Sequence, residues 1–474
     1  MPRRRGTGGP GGRLSDADSI LWTLDRDPVL RSVITAVILL DRAVPVDEVV
    51  KRIDGLCRAS SHFRSCVHTA PTPWGRPVWR RAEHFDPASH LLHLRAPEPA
   101  DLRTLLDLAQ HLALPAFDPA RPLWEAMLVD GLADGRAALI VKVHHSVVDG
   151  VGGIQVAARL LDGDRRGSPL LGPPPPSADH GGGDGGPRPF DRASRALRWT
   201  ASVTGRLGTV GVAAVRRPGR SLRQGLTLLD DTRRLVEPTP TPLSPIMRGR
   251  GMERRFDLLP LDRGLLPRLT AAGGLTLNDA FVAGLLRGLS TYHHRHGARA
   301  ERLRMVMPVS TRRPGDPVES NHFTPARFVL PADLPDARAY LDQIPDHLRR
   351  WKHSPSLAVS DTLAAGLDRL PGAVTVGAFA LMLKGVDLVA TNVPGPPTET
   401  YLAGARVEAI HAFAPPAGAA VNAALVTTAG RPSIGITTDT VAVPDPGTLA
   451  ECIAEAFEEL ADAADEYQRR RGHP

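Results

Sequence analysis

Hydrophobic and polar residues alternate along the chain with two different periods. Runs rich in β-branched residues and bounded by turn residues predict strands, and the clearest is Ser32 to Leu40. Apolar residues three and four positions apart predict amphipathic helices, as at Val46 to Arg58 and Leu449 to Tyr467. Because helices and strands alternate through both halves, the pattern indicates an α/β fold with two halves of similar size. Further strands are predicted at Glu125–Val129, Ala137–His145, Arg302–Val309, Ala326–Leu330, Asp387–Thr391, Val407–Phe413, Ala420–Thr428 and Ser433–Thr438, and further helices at Leu261–Ala271 and from Thr276 to about His296.

Turn and capping residues sharpen some of these boundaries. Asp134 and Gly135 stand between two predicted strands, and glycine accepts the positive φ that a hairpin turn needs. Thr276 and Asp279 have the spacing of a capping box at the start of a helix. Asn278 lies between them, so the Asn278-Asp279 pair either caps this helix or shapes a site near its end.

One segment interrupts the alternation. From Ser168 the chain reads SPLLGPPPPSADHGGGDGGPRP, and four consecutive prolines with two glycine runs continue neither a helix nor a strand. A chain of 474 residues also exceeds one core of ordinary size. We therefore predict a disordered basic tail at 1–13, an N-terminal domain at 14–165, a linker at 166–240 and a C-terminal domain at 241–470.

Nine arginines and one acidic residue, Asp191, lie in the linker between Arg188 and Arg223. Small and apolar residues separate them, so the stretch is basic and partly amphipathic. It is either a solvated linker or a patch for anionic lipid headgroups. Nucleic acid is a weaker interpretation because the only aromatic residues in the stretch are Phe190 and Trp199.

The composition restricts the class of protein. Hydrophobic residues make up 42% and charged residues 23%, which is typical of a globular chain, and a net charge of +7 is too small for a general nucleic-acid surface. The three scattered cysteines favour a reducing compartment. No secretory signal or transmembrane span is evident, so we expect a cytoplasmic protein whose membrane contact is peripheral.

Two adjacent histidines end the predicted strand Ala137 to His145. Because successive side chains on a strand point to opposite faces, His144 and His145 cannot both serve one small site. An imidazole at a strand end can accept a proton from a hydroxyl that attacks a carbonyl carbon. Asp149 and Gly150 follow in a predicted turn. Asp149 either orients the imidazole, as in a triad, or holds the loop through an ion pair with an arginine, and the tight spacing favours the second role.

Simpler interpretations exist for several of these residues. A histidine pair at a hairpin end is common on protein surfaces. Ser146 lies outside a nucleophile elbow, so a serine nucleophile is not expected. The histidines near the end of the predicted helix, among them His293, have no carboxylate or thiol at metal-ligand spacing, and we expect no metal.

The string HHSVVDG at 144–150 resembles the HHxxxDG signature of CoA-dependent acyltransferases and peptide-synthetase condensation domains. Further blocks resemble the bacterial wax ester synthase/diacylglycerol acyltransferase family in particular, in the family's order, over about residues 14–465. The family's Pro-Leu-Asn block appears here as Pro242-Leu243-Ser244. The matching blocks are Leu14-Ser15-Asp16-Ala17-Asp18, Pro122-Leu123-Trp124, Gly131-Leu132, Asp134-Gly135-Arg136, Leu277-Asn278-Asp279-Ala280, Pro308-Val309-Ser310-Thr311-Arg312 and Thr391-Asn392-Val393-Pro394-Gly395-Pro396.

The resemblance implies two chloramphenicol-acetyltransferase-like domains with a tunnel between them. It implies acyl-CoA as co-substrate, with diacylglycerol or a long-chain alcohol as acceptor and no other cofactor. His145 is then the catalytic base, with His144 and Asp149 in support. The residues expected to bind substrate or shape the site are Gly150, Pro122, Leu123, Trp124, Asn278, Asp279, Asn392, Pro394 and Gly395.

The resemblance leads to a predicted O-acyltransferase that makes triacylglycerol or wax ester at a membrane or lipid-body surface. One alternative is a stand-alone condensation-type enzyme that uses a carrier-bound donor or another acceptor. A second alternative is a lipid-binding relative that has kept the fold without the activity. The intact HHxxxDG string argues against this second alternative.

Overall fold

The computed structural model describes residues 14–69, 77–148, 158–168, 241–271, 274–310, 323–352 and 372–471, with positions 12, 153, 156 and 170. Asp149, Gly150 and the Arg188–Arg223 stretch lie outside the described residues. The helices are α1 (Asp16–Leu24), α2 (Val46–Ala59), α3 (Leu102–Ala113), α4 (Leu265–Ala271), α5 (Leu277–Arg295), α6 (Ala337–Lys352), α7 (Gly372–Leu383) and α8 (Pro446–Arg471). The strands are β1 (Val33–Leu40), β2 (Ser65–His68), β3 (Val78–Arg81), β4 (Leu91–Arg95), β5 (Trp124–Asp130), β6 (Ala137–His144), β7 (Arg254–Pro260), β8 (Arg302–Ser310), β9 (Phe323–Pro331), β10 (Leu388–Pro394), β11 (Tyr401–Leu402), β12 (Ala405–Phe413), β13 (Val421–Thr428) and β14 (Arg431–Asp439).

The described strands form two six-stranded mixed sheets and a small hairpin of β2 and β3. The first sheet has the order β11-β12-β1-β6-β5-β4, and the second has the order β7-β14-β13-β10-β8-β9. In the first sheet β6 lies between β1 and β5 and is antiparallel to both. In the second sheet β10 is parallel to β13 and β8. Apolar side chains of α5 and α8 pack with those of the second sheet in one large core.

The second half of the chain contributes two strands, β11 and β12, to the first sheet. Strand β12 comes late in the sequence, yet it pairs with β1 in the first sheet. It also contacts the second sheet so closely that a Cβ on Gly435 would lie 2.1 Å from the carbonyl oxygen of Ala412. Nδ1 of His411, on the same strand, is 3.1 Å from Oγ of Ser433. A division of the chain at residue 240 therefore does not separate the two sheets.

Most predicted elements are confirmed within a few residues. The hairpin between β5 and β6 turns at Asp134 and Gly135, which have φ of 60° and 72°. The capping box of Thr276 and Asp279 is present. The helix predicted from Leu261 begins only at Leu265, because the Asp262 side chain accepts the N–H of Gly264 at 2.7 Å and forms a local turn.

Among the helices within the described ranges, none combines the length and the apolar character needed to cross a membrane.

Candidate active site

The pairing of β6 holds the backbone of both histidines. The N–H of His144 donates to the carbonyl of Leu123 at 3.0 Å, on the β5 side. The N–H of His145 donates to the carbonyl of Ser32 at 2.8 Å, on the β1 side. The carbonyl of His144 then accepts the N–H of Val147 at 2.9 Å, which starts the turn. Each histidine is thus tied to a different neighbouring strand, and His145 is the first residue beyond β6.

The side chain of His144 is fully buried, at 0% exposure, whereas His145 is partly exposed. The His144 ring makes edge contacts with Trp22 and Phe117, at centroid distances of 5.8 and 6.1 Å. Its Nδ1 lies 2.7 Å from Oγ and 3.1 Å from the backbone N of Ser146. Its Nε2 lies 3.2 Å from Oδ1 of Asp25, within ion-pair distance, although the angle is poor for a hydrogen bond.

These contacts assign the proton on the His144 ring. A backbone N–H can only donate, so Nδ1 of His144 accepts from Ser146 and carries no proton. The ring proton then lies on Nε2, facing the Asp25 carboxylate. His144 therefore has no ring nitrogen left to take a proton from a substrate. Ser146 is 0% exposed and occupied by the same contact, which agrees with the expectation that it is not a nucleophile.

Asp25 is a site residue that sequence reasoning missed. It follows α1, and its Oδ1 also accepts the N–H of Ser32 at 2.9 Å. Burial acts to raise the pKa of Asp25, but contact with His144 and the Ser32 N–H outweighs burial, and the pKa lies below its ordinary value. No spacing in the sequence links Asp25 to the histidines, because only the pairing of β1 with β6 brings the two segments together.

An ion pair between the buried Lys142 and the half-buried Glu125 supports the same strand on the face that carries His144. Nζ of Lys142 lies 3.0 Å from Oε2 of Glu125, 2.9 Å from the carbonyl of Pro115 and 4.4 Å from the centroid of the Phe117 ring. Burial lowers the pKa of Lys142, and Glu125 only partly offsets this effect. Lys142 and His144 both contact Phe117, because residues two apart on a strand share one face.

The predicted Pro122-Leu123-Trp124 block lies at the start of β5, and all three residues are buried. The Leu123 carbonyl holds the His144 backbone. Trp124 donates its Nε1–H to the carbonyl of Phe63 at 2.9 Å, and its ring stacks on His90 at 4.6 Å. The block therefore fixes the strand next to the histidines.

In the second half, Asn278 and Asn392 are joined directly. Nδ2 of Asn392, on β10, donates to Oδ1 of Asn278, at the start of α5, at 2.7 Å. Asp279 accepts the N–H of Thr276 at 2.8 Å and is thereby committed to the capping box. The two predicted blocks form one contact between a strand end and a helix start.

Pro394 is the last residue of β10, and Gly395 follows it at a point of close approach. A Cβ on Gly395 would lie 2.5 Å from the carbonyl oxygen of Thr427 and 3.2 Å from Val426. Val426 belongs to the buried apolar cluster that also contains Val143 and Val147. This cluster links the ends of β10 and β13 to the turn that follows β6.

Ser244 stands where the family pattern has asparagine, and it makes hydrogen bonds within the protein. Its N–H donates to Asp387 at 3.0 Å, and its Oγ lies 2.7 Å from Nε2 of His293. Nδ1 of His293 donates to the Leu289 carbonyl at 2.6 Å, because a carbonyl can only accept. Both nitrogens of His293 are therefore engaged in hydrogen bonds within the protein.

Known protein families and individual proteins are similar to this chain over most of its length. The family model of the wax ester synthase/diacylglycerol acyltransferase catalytic domain matches residues 14–281, and the model of the family's C-terminal domain matches residues 319–461. A putative diacylglycerol O-acyltransferase from Mycobacterium tuberculosis is 31% identical over 465 residues, which cover 94% of this chain and 92% of that protein. A probable diacylglycerol O-acyltransferase from the same organism is 27% identical and covers 88% of each chain.

Solved structures with the same fold cover nearly the whole chain. The wax ester synthase/diacylglycerol acyltransferase of Marinobacter aquaeolei superposes with a TM-score of 0.64 at 22% identity, over 96% of this chain and 100% of that one. The first condensation domain of the calcium-dependent antibiotic synthetase superposes with a TM-score of 0.61 at 17% identity, over 96% and 97%. At these identities the likeness concerns the fold alone, and it confirms the predicted α/β class with two acyltransferase-like domains. The matched family models and the mycobacterial relatives show that the chain belongs to the wax ester synthase/diacylglycerol acyltransferase family of acyltransferases.

Proposed function

We propose that this chain transfers a long-chain acyl group from acyl-CoA to diacylglycerol, to a long-chain alcohol, or to both, with His145 as general base. One observation carries the choice of base. The ring nitrogens of His144 are occupied by Ser146 and Asp25, while His145 is partly exposed at the first turn position after β6. His145 is therefore the histidine of the pair that can meet a substrate hydroxyl.

In the proposed reaction, a ring nitrogen of His145 takes the proton of the acceptor hydroxyl as its oxygen attacks the thioester carbonyl carbon. The new C–O bond forms while the carbonyl electrons move to oxygen, giving a tetrahedral oxyanion. The C–S bond then breaks as the carbonyl re-forms, and the imidazolium returns the proton to the leaving CoA sulfur. The products are an ester and CoA. A positioned base of this kind contributes about 10²–10⁴ in rate.

The proposed reaction uses acyl-CoA as a co-substrate and needs no cofactor. We place the substrates in a tunnel between the two acyltransferase-like domains. The contact of Asn392 with Asn278 and the close approach at Gly395 would shape its wall from the second half. Gly150 would let the backbone approach the substrate without a side chain.

We propose that Asp149 holds the loop after the histidines rather than the imidazole. Asp149→Asn should then lower thermal stability together with activity. A fully stable Asp149→Asn variant that loses about 10⁴ in rate, as a triad carboxylate variant does, would instead show that Asp149 orients His145.

The experiment that tests the function uses purified full-length protein with palmitoyl-CoA. Separate reactions receive a diacylglycerol, hexadecanol or no acceptor, and the products are identified by mass. Triacylglycerol or wax ester together with free CoA supports the proposal. Transfer only from a carrier-bound acyl group would favour a condensation-type reaction, and no transfer from either donor would favour a lipid-binding protein.

We also propose that the protein works attached to a membrane or lipid-body surface, because its acceptors reside in lipid. The Arg188–Arg223 stretch would supply the attachment, since each basic residue near an anionic leaflet contributes about 1 kcal/mol. Co-sedimentation with anionic and neutral vesicles at low and high salt tests this. Binding should require anionic lipid, weaken with salt and fall when the arginines are changed to glutamine, whereas equal binding to neutral vesicles would refute it.

A further inference from the structure

One carboxylate oxygen of Asp25 contacts both the start of β1 and the ring of His144 at the end of β6. Oδ1 of Asp25 is 2.9 Å from the N–H of Ser32 and 3.2 Å from Nε2 of His144. The Asp25 side chain is 15% exposed, and Trp22, three residues earlier on α1, contacts the His144 ring. The end of α1 therefore closes over the side of His144 that faces away from Ser146.

Asp25 is connected to His145 through Ser32. The Ser32 N–H donates to Asp25, and the Ser32 carbonyl accepts the N–H of His145 at 2.8 Å. Two chains of contacts therefore link the Asp25 carboxylate to the backbone of His145. The first runs through the ring of His144, which precedes His145 in the chain. The second runs through Ser32, just before β1.

We propose that Asp25 is a positioning residue for His145. It would act through His144 and Ser32 and not on the substrate, and its effect rests on the proposed role of His145 as the base. Its oxygen holds the His144 ring in the Nε2–H form and fixes the Ser32 peptide, so that the His145 imidazole keeps one orientation towards the acceptor hydroxyl.

The geometry predicts different results for two substitutions of Asp25. Both contacts use Oδ1, so Asp25→Asn can keep both acceptor contacts while losing the charge. Asp25→Ala removes both contacts. Because a misplacement of about 1 Å can cost about 10² in rate, we expect Asp25→Ala to lose about 10- to 100-fold in kcat with little change in KM.

Asp27 offers a matched control. It lies in the same turn, its side chain is 19% exposed, and like Asp25 it combines a backbone contact with a side-chain contact. Its Oδ1 accepts the N–H of Val29 at 3.0 Å, and its Oδ2 is 2.6 Å from Nζ of Lys384. Asp27→Ala should lower thermal stability and leave kcat unchanged.

The test measures kcat, KM, Tm and hydrogen exchange of the His145 backbone amide for the wild type and the Asp25→Ala, Asp25→Asn and Asp27→Ala variants. We expect Asp25→Ala to lose kcat and to speed exchange at His145, while amides in the second sheet keep their protection. Asp25→Asn should stay near the wild type in both measurements. If Asp25→Ala does not fold, Asp25→Glu, which moves the carboxylate by one methylene, should fold and lose kcat.

An Asp25→Ala variant with wild-type kcat and wild-type exchange at His145 would overturn the proposal. A loss of kcat in Asp25→Asn as large as that in Asp25→Ala would also overturn it, because the proposed effect comes from the position of the oxygen and not from its charge. Absence of acyl transfer by the wild type would instead refute the proposed function. The exchange measurement would still decide in that case, because unchanged protection at His145 refutes positioning without any assay of activity.

Discussion

Ser146 donates its backbone N–H to Nδ1 of His144 across 3.1 Å, and both residues are fully buried. The first histidine of the pair is therefore a structural residue whose ring supports the turn that carries the second. This relationship separates the expected effects of the two histidines on stability and on chemistry.

Substitution of His144 should affect stability first. His144→Ala leaves the Ser146 N–H buried without an acceptor and opens a cavity beside Trp22 and Phe117, so we expect a loss of about 3 kcal/mol. His144→Asn offers an oxygen close to the position of Nδ1 and should lose less. Urea unfolding of both variants checks this, and an unchanged midpoint for His144→Ala would contradict it.

Removal of Lys142 and removal of Glu125 should change the free energy of unfolding by different amounts. Lys142 has 0% side-chain exposure, whereas Glu125 has 36% and keeps part of its hydration. Glu125→Leu leaves a buried ammonium without its partner, which costs about 3–5 kcal/mol. Lys142→Met leaves a carboxylate that water can reach and should cost much less. Urea unfolding of the two variants measures these losses. Equal losses in the free energy of unfolding would show that the Lys142 ammonium is not desolvated.

His411 should make stability depend on pH. Burial lowers the pKa of His411 from 6.5 to about 4, so the unfolded chain binds a proton between these values while the folded chain does not. Stability therefore falls as pH drops through 6.5 and continues to fall until about pH 4. From pH 7 to pH 5 the contribution is about 2 kcal/mol.

The comparison of the wild type with His411→Asn isolates this contribution from those of the acidic residues. The variant should show a shallower fall in the free energy of unfolding over the same pH interval. Parallel curves for the two proteins would mean that His411 is accessible to protons in the folded state.

Gly395 should not tolerate a side chain. The contact of 2.5 Å between a Cβ at this position and the Thr427 carbonyl oxygen is with backbone, which cannot rotate away. Gly395→Ala should force β10 and β13 apart and cost about 1–3 kcal/mol. Gly377→Ala is the control, because Gly377 is exposed on α7 with no atom within 4 Å of its Cβ, and this substitution should be neutral or stabilising. Similar melting temperatures for Gly395→Ala and the wild type would contradict the close approach.

Local signals in the sequence predicted the elements that depend on local physics. The apolar run from Ala137 to His145 and the turn pair Asp134-Gly135 specified the hairpin, and Thr276 with Asp279 specified a helix start. The histidine pair was found because a known motif surrounds it. These features need only a few neighbouring residues to be formed.

Other features depend on pairing between distant segments and have no local signal. Residues 405–413 alternate as a strand would in either sheet, so nothing in them assigns β12 to the first sheet rather than the second. Asp25 likewise resembles any acidic residue at a helix end. Only the register of β1 against β6, in which Val33 lies opposite His144, places Asp25 beside the histidine.

The kcat values of His145→Ala, His144→Asn and the wild type, measured with palmitoyl-CoA and the preferred acceptor, distinguish which histidine is the base. We expect His145→Ala to keep the wild-type Tm and to lose about 10²–10⁴ in kcat, the contribution of a general base. His144→Asn should keep most of the kcat at a lower Tm. A folded His145→Ala variant with near-wild-type kcat, or a His144→Asn variant that is folded and inactive, would contradict the assignment of His145 as the base.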